Sequence, residues 1–507
     1  MTFPVLSKIS VGEPDANSEF FAALRAKRRP IFLEGFYSPP HFPFGQFQTG
    51  EKYLIYGQKG TGKTSILRHI KDVSTADEAE FLIFKKSFLE EVDMTDMSNI
   101  PLALDESEIK KFKHFHHTIK RLLILILIRK SFSIKPYDST VDDSDDDSTK
   151  SLISKVYNSS IGDAIKFGLD SVGNIFQSIG LNVEKLTAGA ALLEGGRLVK
   201  RSNDSLLSYL IKRMKRFEDK CIELYLDEIH FAYRSEESLQ QDAILVRDTI
   251  LAIQSLNDRF AEESLKITIF AAVRSEYLEH PIIATADINH AIESVGHELT
   301  YENFAQDKNH PLFVIMSDRF RLSIGDHFNN NDLFKYYLAN ITPVDFLGRT
   351  WAKPRDIVRF FKCAQKLYPD RVTLATKEIN AVWRNYSQEA WKELKSSASP
   401  FMNPPALVDF ENILGDLAPS QFDGSEKLDL EKFSRILKPV FEKAKGSQKN
   451  FYSFEHFLRL LYILGIFSTK RSDANENEIY HSYHRGNRNF HANGLVLIHP
   501  TVLKALG

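Results

Sequence analysis

Cysteine is nearly absent from this chain: Cys221 and Cys363 are the two in 507 residues. Two thiols cannot build a disulfide framework, and they read as buried side chains of a reducing compartment. A net charge is missing too, because 65 basic and 67 acidic residues leave −2, so no global charge recruits nucleic acid or a membrane surface. Long apolar runs are also lacking. The longest, Leu122–Ile128, lies between Arg121 and Arg129, far short of the roughly 20 residues a spanning helix needs, and reads as a buried core helix. Met1–Pro30 has no basic start followed by an apolar run, so the expectation is a cytoplasmic protein without membrane contact. No Ser-His-Asp or catalytic-cysteine pattern is present. His481, His484 and His491 have no cysteine or acid at ligand spacing and read as loop and wing surface.

What is present is a complete phosphate-binding loop, Gly57-Gln58-Lys59-Gly60-Thr61-Gly62-Lys63-Thr64, matching G-x-x-x-x-G-K-[ST] at every fixed position. It follows Tyr53–Tyr56, which reads as a buried strand, and precedes Ser65–Ile70, which reads as the first turns of a helix. The order matters chemically. Glycines let backbone N–H groups curl round a phosphate, and the helix N-terminus adds its dipole. Residues Gly57 to Ser65 are therefore the candidate nucleotide-binding set, with Lys63 reaching the β/γ-phosphates and Thr64 holding Mg²⁺.

Such a loop needs a carboxylate for the metal at the end of a neighbouring buried strand. Ile222–Leu226 followed by Asp227-Glu228 supplies it, with Asp227 as the Mg²⁺ residue and Glu228 as the base that polarises the attacking water. The strand Ile267–Val273 ends in Arg274, the candidate sensor of the γ-phosphate. Lys353-Pro354-Arg355 opens a helix with Pro in its first turn, and Arg355 is placed to contact the γ-phosphate from a helical lid. Arg247, Arg259, Arg319 and Arg321 are weaker candidates for an arginine supplied to a neighbouring subunit.

The pattern divides the chain into several parts. Residues 1–48 form an aromatic-rich segment that covers a base or simply anchors. Residues 49–280 alternate strands (Tyr53–Tyr56, Phe81–Lys85, Ile222–Leu226, Ile267–Val273) with helices (Asp204–Lys220, Asp242–Phe260), which predicts an α/β fold: a parallel sheet with helices on both faces. An insertion at about 131–200 holds an acidic loop, 138–149, containing Asp142-Asp-Ser-Asp-Asp-Asp147, and an amphipathic helix from Ile161 to Ile179. Residues 281–400 read as a helical lid with helices at Asp332–Leu338 and Pro354–Tyr368. Residues 401–426 read as a linker, and 427–507 as three helices then two strands, the plan of a winged helix. Within that last part Phe454–Leu464 is an amphipathic helix, Asn493-Gly494 lies near a turn and Leu495–Ile498 is a strand. Lys470, Arg471, Arg485 and Arg488 give it a basic cluster.

These residues together resemble the P-loop ATPases with an additional strand and a catalytic glutamate (the ASCE class). Within that class the order looks most like bacterial ATPases related to STAND signalling and origin-recognition proteins, which often occur in phage-defence or mobile-element loci. The segment Ile498–Leu506 is also similar to that bacterial group, whereas 131–200 has no counterpart in it. Arg274 is similar to STAND members, where many AAA+ proteins carry Asn, a departure that argues against hexameric remodelling. Leu193-Glu-Gly-Gly-Arg197 faintly resembles the LSGGQ signature of ABC ATPases. It lacks the serine, and Gly195-Gly196 reads as a helix stop. The resemblance implies an ATPase that binds ATP and Mg²⁺, switches conformation, and engages a second copy, a partner protein, or DNA through the winged helix. The other readings are a slow, ATP-gated binding regulator and a structural protein with a degenerate site.

Overall fold

A computed structural model describes residues 3–84, 116–138, 147–167, 189–217, 219–229, 238–278, 286–301, 304–398, 402–423, 428–445, 453–472, 478–483, 490 and 494–507. The four expected strands form as β1 (Leu54–Gly57), β2 (Glu78–Ile83), β3 (Ile222–Asp227) and β4 (Ile267–Arg274). A fifth, β5 (Gly296–Glu298), carried no sequence signal because three residues ending in His297-Glu298 set no period. All pairings are parallel, in the order β2-β3-β4-β1-β5. A parallel sheet is covered on both faces, which is why β3 and β4 are almost continuously apolar. This five-stranded parallel sheet with flanking helices is consistent with a Rossmann-like or P-loop fold. Its order sets β4 between the strand of the phosphate loop and the strand of the acid pair. The register puts Gly57 beside Arg274. All strands thus point their C-terminal ends at one edge, where open α/β sheets take ligands.

Helices on the sheet follow from the same patterning. α1 (Ala16–Arg25) is capped by Asp15, whose carboxylate accepts the Ser18 amide at 2.8 Å. α2 (Lys63–Asp72) grows directly out of the phosphate loop. α3 (His116–Ile134) buries every residue of Leu122–Ile128 completely, as expected of a helix apolar all round. α4 (Gly189–Lys215) packs on α3, and α5 (Ser238–Glu262) packs on both α3 and β4. Gly195-Gly196 does not stop a helix: it lies inside α4. Two glycines cost about 2 kcal/mol of helix propensity, which the packed 27-residue helix overrides. Most of the acidic loop, and the amphipathic stretch beyond residue 167, lie outside the described residues; Asp147 opens the helix Asp147–Tyr157.

The segment expected to form a lid contains α6 (Pro311–Ile324), α7 (Pro354–Leu367) and α8 (Thr376–Ala398). Asp332–Leu338 is not one α-helix but a turn, Asn330–Asp332, followed by a wider-wound stretch, Leu333–Tyr337. The expected linker is a helix, α9 (Pro404–Asp423). Pro404 and Pro405 occupy its first turn, where no N–H is needed. Ala406, Phe410, Leu414 and Ala418 form a buried four-residue stripe that the Pro and Gly content of the segment had masked.

Among its described residues the C-terminal part has three helices, as expected, but three strands rather than two, and the third helix follows the strands instead of preceding them: α10 (Leu430–Lys445), α11 (Phe454–Ile463), β6 (Phe467–Ser472), β7 (Glu478–His481), β8 (Leu495–Ile498) and α12 (Pro500–Leu506). β6 is the centre of an antiparallel sheet, with β7 and β8 on either side. α12 packs on α8 and α9, which joins the chain's end to the lid.

His310 caps α6 and is 3% exposed, with Nδ1 accepting the Leu312 amide at 3.3 Å and Nε2 3.3 Å from the Tyr301 carbonyl. Burial pushes its pKa down to about 4. The folded state therefore binds this proton less readily than the unfolded state. The histidine's full contribution is present above pH 6.5 and is lost as pH falls toward 4. The expected cost is about 2 kcal/mol at pH 5, and His310→Asn, which keeps a cap acceptor, should remove it. Urea unfolding at pH 7 and pH 5 checks this; parallel pH slopes for the two proteins would contradict it.

Candidate functional site

The loop between β1 and α2 turns on two glycines with left-handed backbones, Gly60 at φ 90° and Gly62 at φ 95°. Tyr301 Oη donates to the Thr61 carbonyl at 3.2 Å, and Thr61 Oγ1 donates to the Gln58 carbonyl at 2.9 Å. Both bonds brace the loop. Lys63 is 9% exposed, and its Nζ donates to the Gly57 and Gln58 carbonyls, each at 2.7 Å. No carboxylate among the described residues comes within ion-pair distance of it. Burial pushes the amine down to about 7, with Glu276 pulling the other way. A buried ammonium held only by carbonyls, at the N-terminus of a helix that follows a glycine-rich turn, is a cradle for an anion.

The second motif meets the first directly. Thr64 Oγ1 donates to Asp227 Oδ2 at 2.8 Å, and Asp227, 4% exposed, also accepts the Glu228 amide at 2.9 Å. Glu228 has a left-handed backbone, φ 55°, a conformation costing a non-glycine residue about 1–3 kcal/mol. Burial, then the charge of Asp227, raise its pKa above the usual carboxylate range.

One contributor has no signal in the sequence. Asn17 of α1 reaches the acid pair, its Nδ2 lying 3.3 Å from Asp227 Oδ2 and 3.4 Å from Glu228 Oε1. Arg68 of α2 fixes that orientation by donating twice to Asn17 Oδ1, at 3.0 and 2.7 Å. The Arg68 guanidinium is itself held between the rings of Phe20 and Phe81, 3.7 and 4.0 Å from their centroids. Asn17 is 210 residues from Asp227, and nothing in its local spacing marks it. The aromatic N-terminal segment packs on α2, where Phe36 stacks on His69 with ring centroids 3.6 Å apart.

The arginines separate clearly. Arg274 ends β4 beside Gly57, half-buried, with no hydrogen bond or ion pair to it among the described residues. Burial opposes its charge, but Tyr277, Glu276, Glu228 and Asp227 outweigh that and hold its pKa above the ordinary value. Arg355 stands in the first turn of α7, its amide 3.4 Å from the Gly60 carbonyl. Its guanidinium is turned to Glu393, to Asp15 at 3.4 Å and to the Pro14 carbonyl at 2.9 Å. Arg247 and Arg319 cannot serve a neighbouring subunit. Arg247 is 2% exposed and pairs with Asp248; Arg319 is 7% exposed and donates to the Val11 carbonyl. Arg259 pairs with Glu262 and Glu263, and Arg321 with Asp318.

The C-terminal part touches the loop itself. Gln58 does not turn its side chain to the cradle: Nε2 donates to the Ile463 carbonyl, at the end of α11, at 2.9 Å. Nearby, Trp351 Nε1 donates to the Gly465 carbonyl at 2.9 Å, and His499 stacks on Trp351. Lys59 is likewise turned outward, its amide donating to Glu276 at 3.1 Å and its Nζ 3.6 Å from Glu393. Ser65 sits half-buried in the first turn of α2.

Thr64 and Asp227 bring two hard oxygen donors together, a set that fits Mg²⁺ completed by phosphate and water. Among the described residues, no group of three or more His, Cys, Asp or Glu side chains is placed to hold a metal unaided. None of the described helices is long and apolar enough to cross a membrane. No protein-family model, curated protein or solved structure matches the chain.

Asn17→Ala should destabilise the fold by about 1–3 kcal/mol, because it leaves the buried Arg68 without its acceptor and the Glu228 carboxylate without its donor. Chemical denaturation measures this, and a change below about 0.5 kcal/mol would contradict the network.

Proposed function

We propose that this chain is a nucleoside triphosphatase that binds ATP with Mg²⁺ at the Gly57–Thr64 loop and uses hydrolysis to reset a conformational switch. The observation that carries the reading is the Thr64–Asp227 hydrogen bond at 2.8 Å, which joins two motifs 163 residues apart at the ligand edge of a parallel sheet. In this reading the loop amides and Lys63 bind the β- and γ-phosphates, with Lys63 exchanging its two carbonyls for phosphate oxygens. Thr64 and Asp227 hold the ion, which when bound neutralises phosphate charge. Glu228, held by its strained backbone and by Asn17, orients a water and accepts its proton, a role its raised pKa suits. Arg274 offers an unengaged guanidinium to the γ-phosphate.

The strand order, with β4 between the two motif strands, supports placement among the additional-strand, catalytic-glutamate ATPases. A winged-helix identity for the C-terminal part is also a proposal, drawn from its helix pair and antiparallel sheet.

A second reading, that hydrolysis only times a binding output, is favoured by the Gln58–Ile463 contact between the loop and the C-terminal part. A second copy, a partner protein or DNA is the object of that output. For DNA, Lys470 and Arg471 lie on β6; Arg485 and Arg488 fall outside the described residues.

Phosphate release and nucleotide titration test the first reading. Lys63→Ala should abolish nucleotide binding, and Glu228→Gln should retain binding while slowing hydrolysis about 100-fold or more. An unchanged Glu228→Gln rate would overturn the assigned base. For the second reading, a salt-dependent DNA titration of the full chain should respond to nucleotide; no binding at low salt would exclude DNA as the partner.

A further inference from the structure

Beside the loop lies a small polar cavity lined by Lys59, Gly60, Lys353, Arg355, Arg359 and Glu393, among others. It lies where α7, α8 and α11 converge on the loop. Four cations line it against three carboxylates, Glu276, Asp356 and Glu393. Glu393 of α8 is the hub. It accepts hydrogen bonds from Arg355 and Arg359, and the Lys59 ammonium is 3.6 Å away. Burial would raise its pKa, but Arg355, Arg359 and Lys59 together hold it far below the ordinary value, so the carboxylate is charged. Its side chain is 19% exposed, and those of its three cations are 13–24% exposed.

Two of those three cations lie at the phosphate loop. Lys59 is a loop residue, and Arg355 touches Gly60 so closely that a Cβ there would lie 3.3 Å from the Cβ of Arg355. Arg359, one turn further along α7, is held by Glu393, and the Gly60 contacts are made by Arg355. A carboxylate shared among three cations in a partly desolvated site is bound by attractions of several kcal/mol each at an effective dielectric near 20. A phosphate arriving at the loop must compete for the same cations.

We propose that Glu393 is a built-in counter-anion of the loop and determines which nucleotide the site prefers: a terminal γ-phosphate draws Arg355 and Lys59 off Glu393, and a diphosphate does not. The inference rests on the loop being a nucleotide site and concerns how that site discriminates and reports. In this proposal the terminal phosphate is the group that approaches Lys59 and Arg355, so the cost of parting the ion pairs is offset by the triphosphate alone. Glu393 is fixed on α8, and α8 packs against α12 of the C-terminal part. Releasing Glu393 loosens α8, the helix on which α12 packs. Gln58, next to Lys59, holds the Ile463 carbonyl of the same part. The triphosphate state would thus loosen the C-terminal part at two places, while the diphosphate state leaves both contacts made.

The test is a titration of the full chain with a fluorescent non-hydrolysable ATP analogue and with ADP, in wild type, Glu393→Gln and Arg359→Gln. Glu393→Gln removes the competitor and should tighten the triphosphate analogue about tenfold or more while changing ADP by less than about threefold. Arg359→Gln removes a cation that shares Glu393, whereas the contacts to Gly60 come from Arg355. It leaves Glu393 more tightly on Arg355 and Lys59, so it should weaken the triphosphate analogue selectively. The opposite signs exclude a general effect of losing stability. If Glu393→Gln fails to fold, as judged by circular dichroism, Arg359→Gln decides alone: selective weakening supports the proposal and an unchanged ratio overturns it. If wild type binds both nucleotides and neither variant changes their ratio, Glu393 is no discriminator and the nucleotide reading stands. If no form binds either nucleotide, the nucleotide reading falls and this inference falls with it.

Discussion

Positive charge only partly matched by internal anions is the constraint around which this molecule is arranged. The C-terminal edge of the sheet gathers Lys59, Lys63, Arg274 and Arg355 around one loop, and several of these groups are substantially removed from water. Lys63 is left to two carbonyls, and Arg274 has no hydrogen-bonding partner among the described residues. Lys59 and Arg355 are drawn to Glu393. A buried cation without a counter-charge is costly, and the lowered pKa of Lys63 expresses that cost. Under the proposed function this cost is relieved by the ligand, because the polyanionic end of a nucleoside triphosphate would supply the missing charge.

The remaining elements are placed by that edge. α1 carries Asn17 to the acid pair, and Arg68 of α2 locks the amide in place from the other side. The start of α7 lies against Gly60, and the end of α11 receives Gln58. The N-terminal segment, the lid and the C-terminal part therefore each put at least one group within reach of the loop or of Asp227 and Glu228. A ligand at the loop would have hydrogen-bonded routes to all three. This is the physical content of the proposed switch.

Much of the sheet was legible because fully buried parallel strands are short, apolar and bounded by polar residues, as Ile222–Asp227 and Ile267–Arg274 are. The loop and the acid pair were legible because phosphate binding fixes residue types at fixed spacing. The helix Pro404–Asp423 was hidden because its prolines were weighed as breakers, although two stand in the first turn. Gly195-Gly196 misled in the same way, since propensity is outweighed in a long packed helix. Asn17, Arg68 and Glu393 were illegible for a different reason. Their roles are made by contacts across the chain, 210 residues apart for Asn17 and Asp227, and no local pattern encodes such a contact. The direction of Gln58 was hidden likewise: a loop residue with the right spacing for phosphate turns its side chain to Ile463.

Hydrogen exchange of the full chain, with and without Mg²⁺ and a non-hydrolysable ATP analogue, tests the central claim most directly. The account predicts slower exchange across 57–66, where the loop amides gain phosphate partners, together with faster exchange around 463–467, where the C-terminal part loses its hold on Gln58. Unaltered exchange across 57–66 at saturating nucleotide would contradict it.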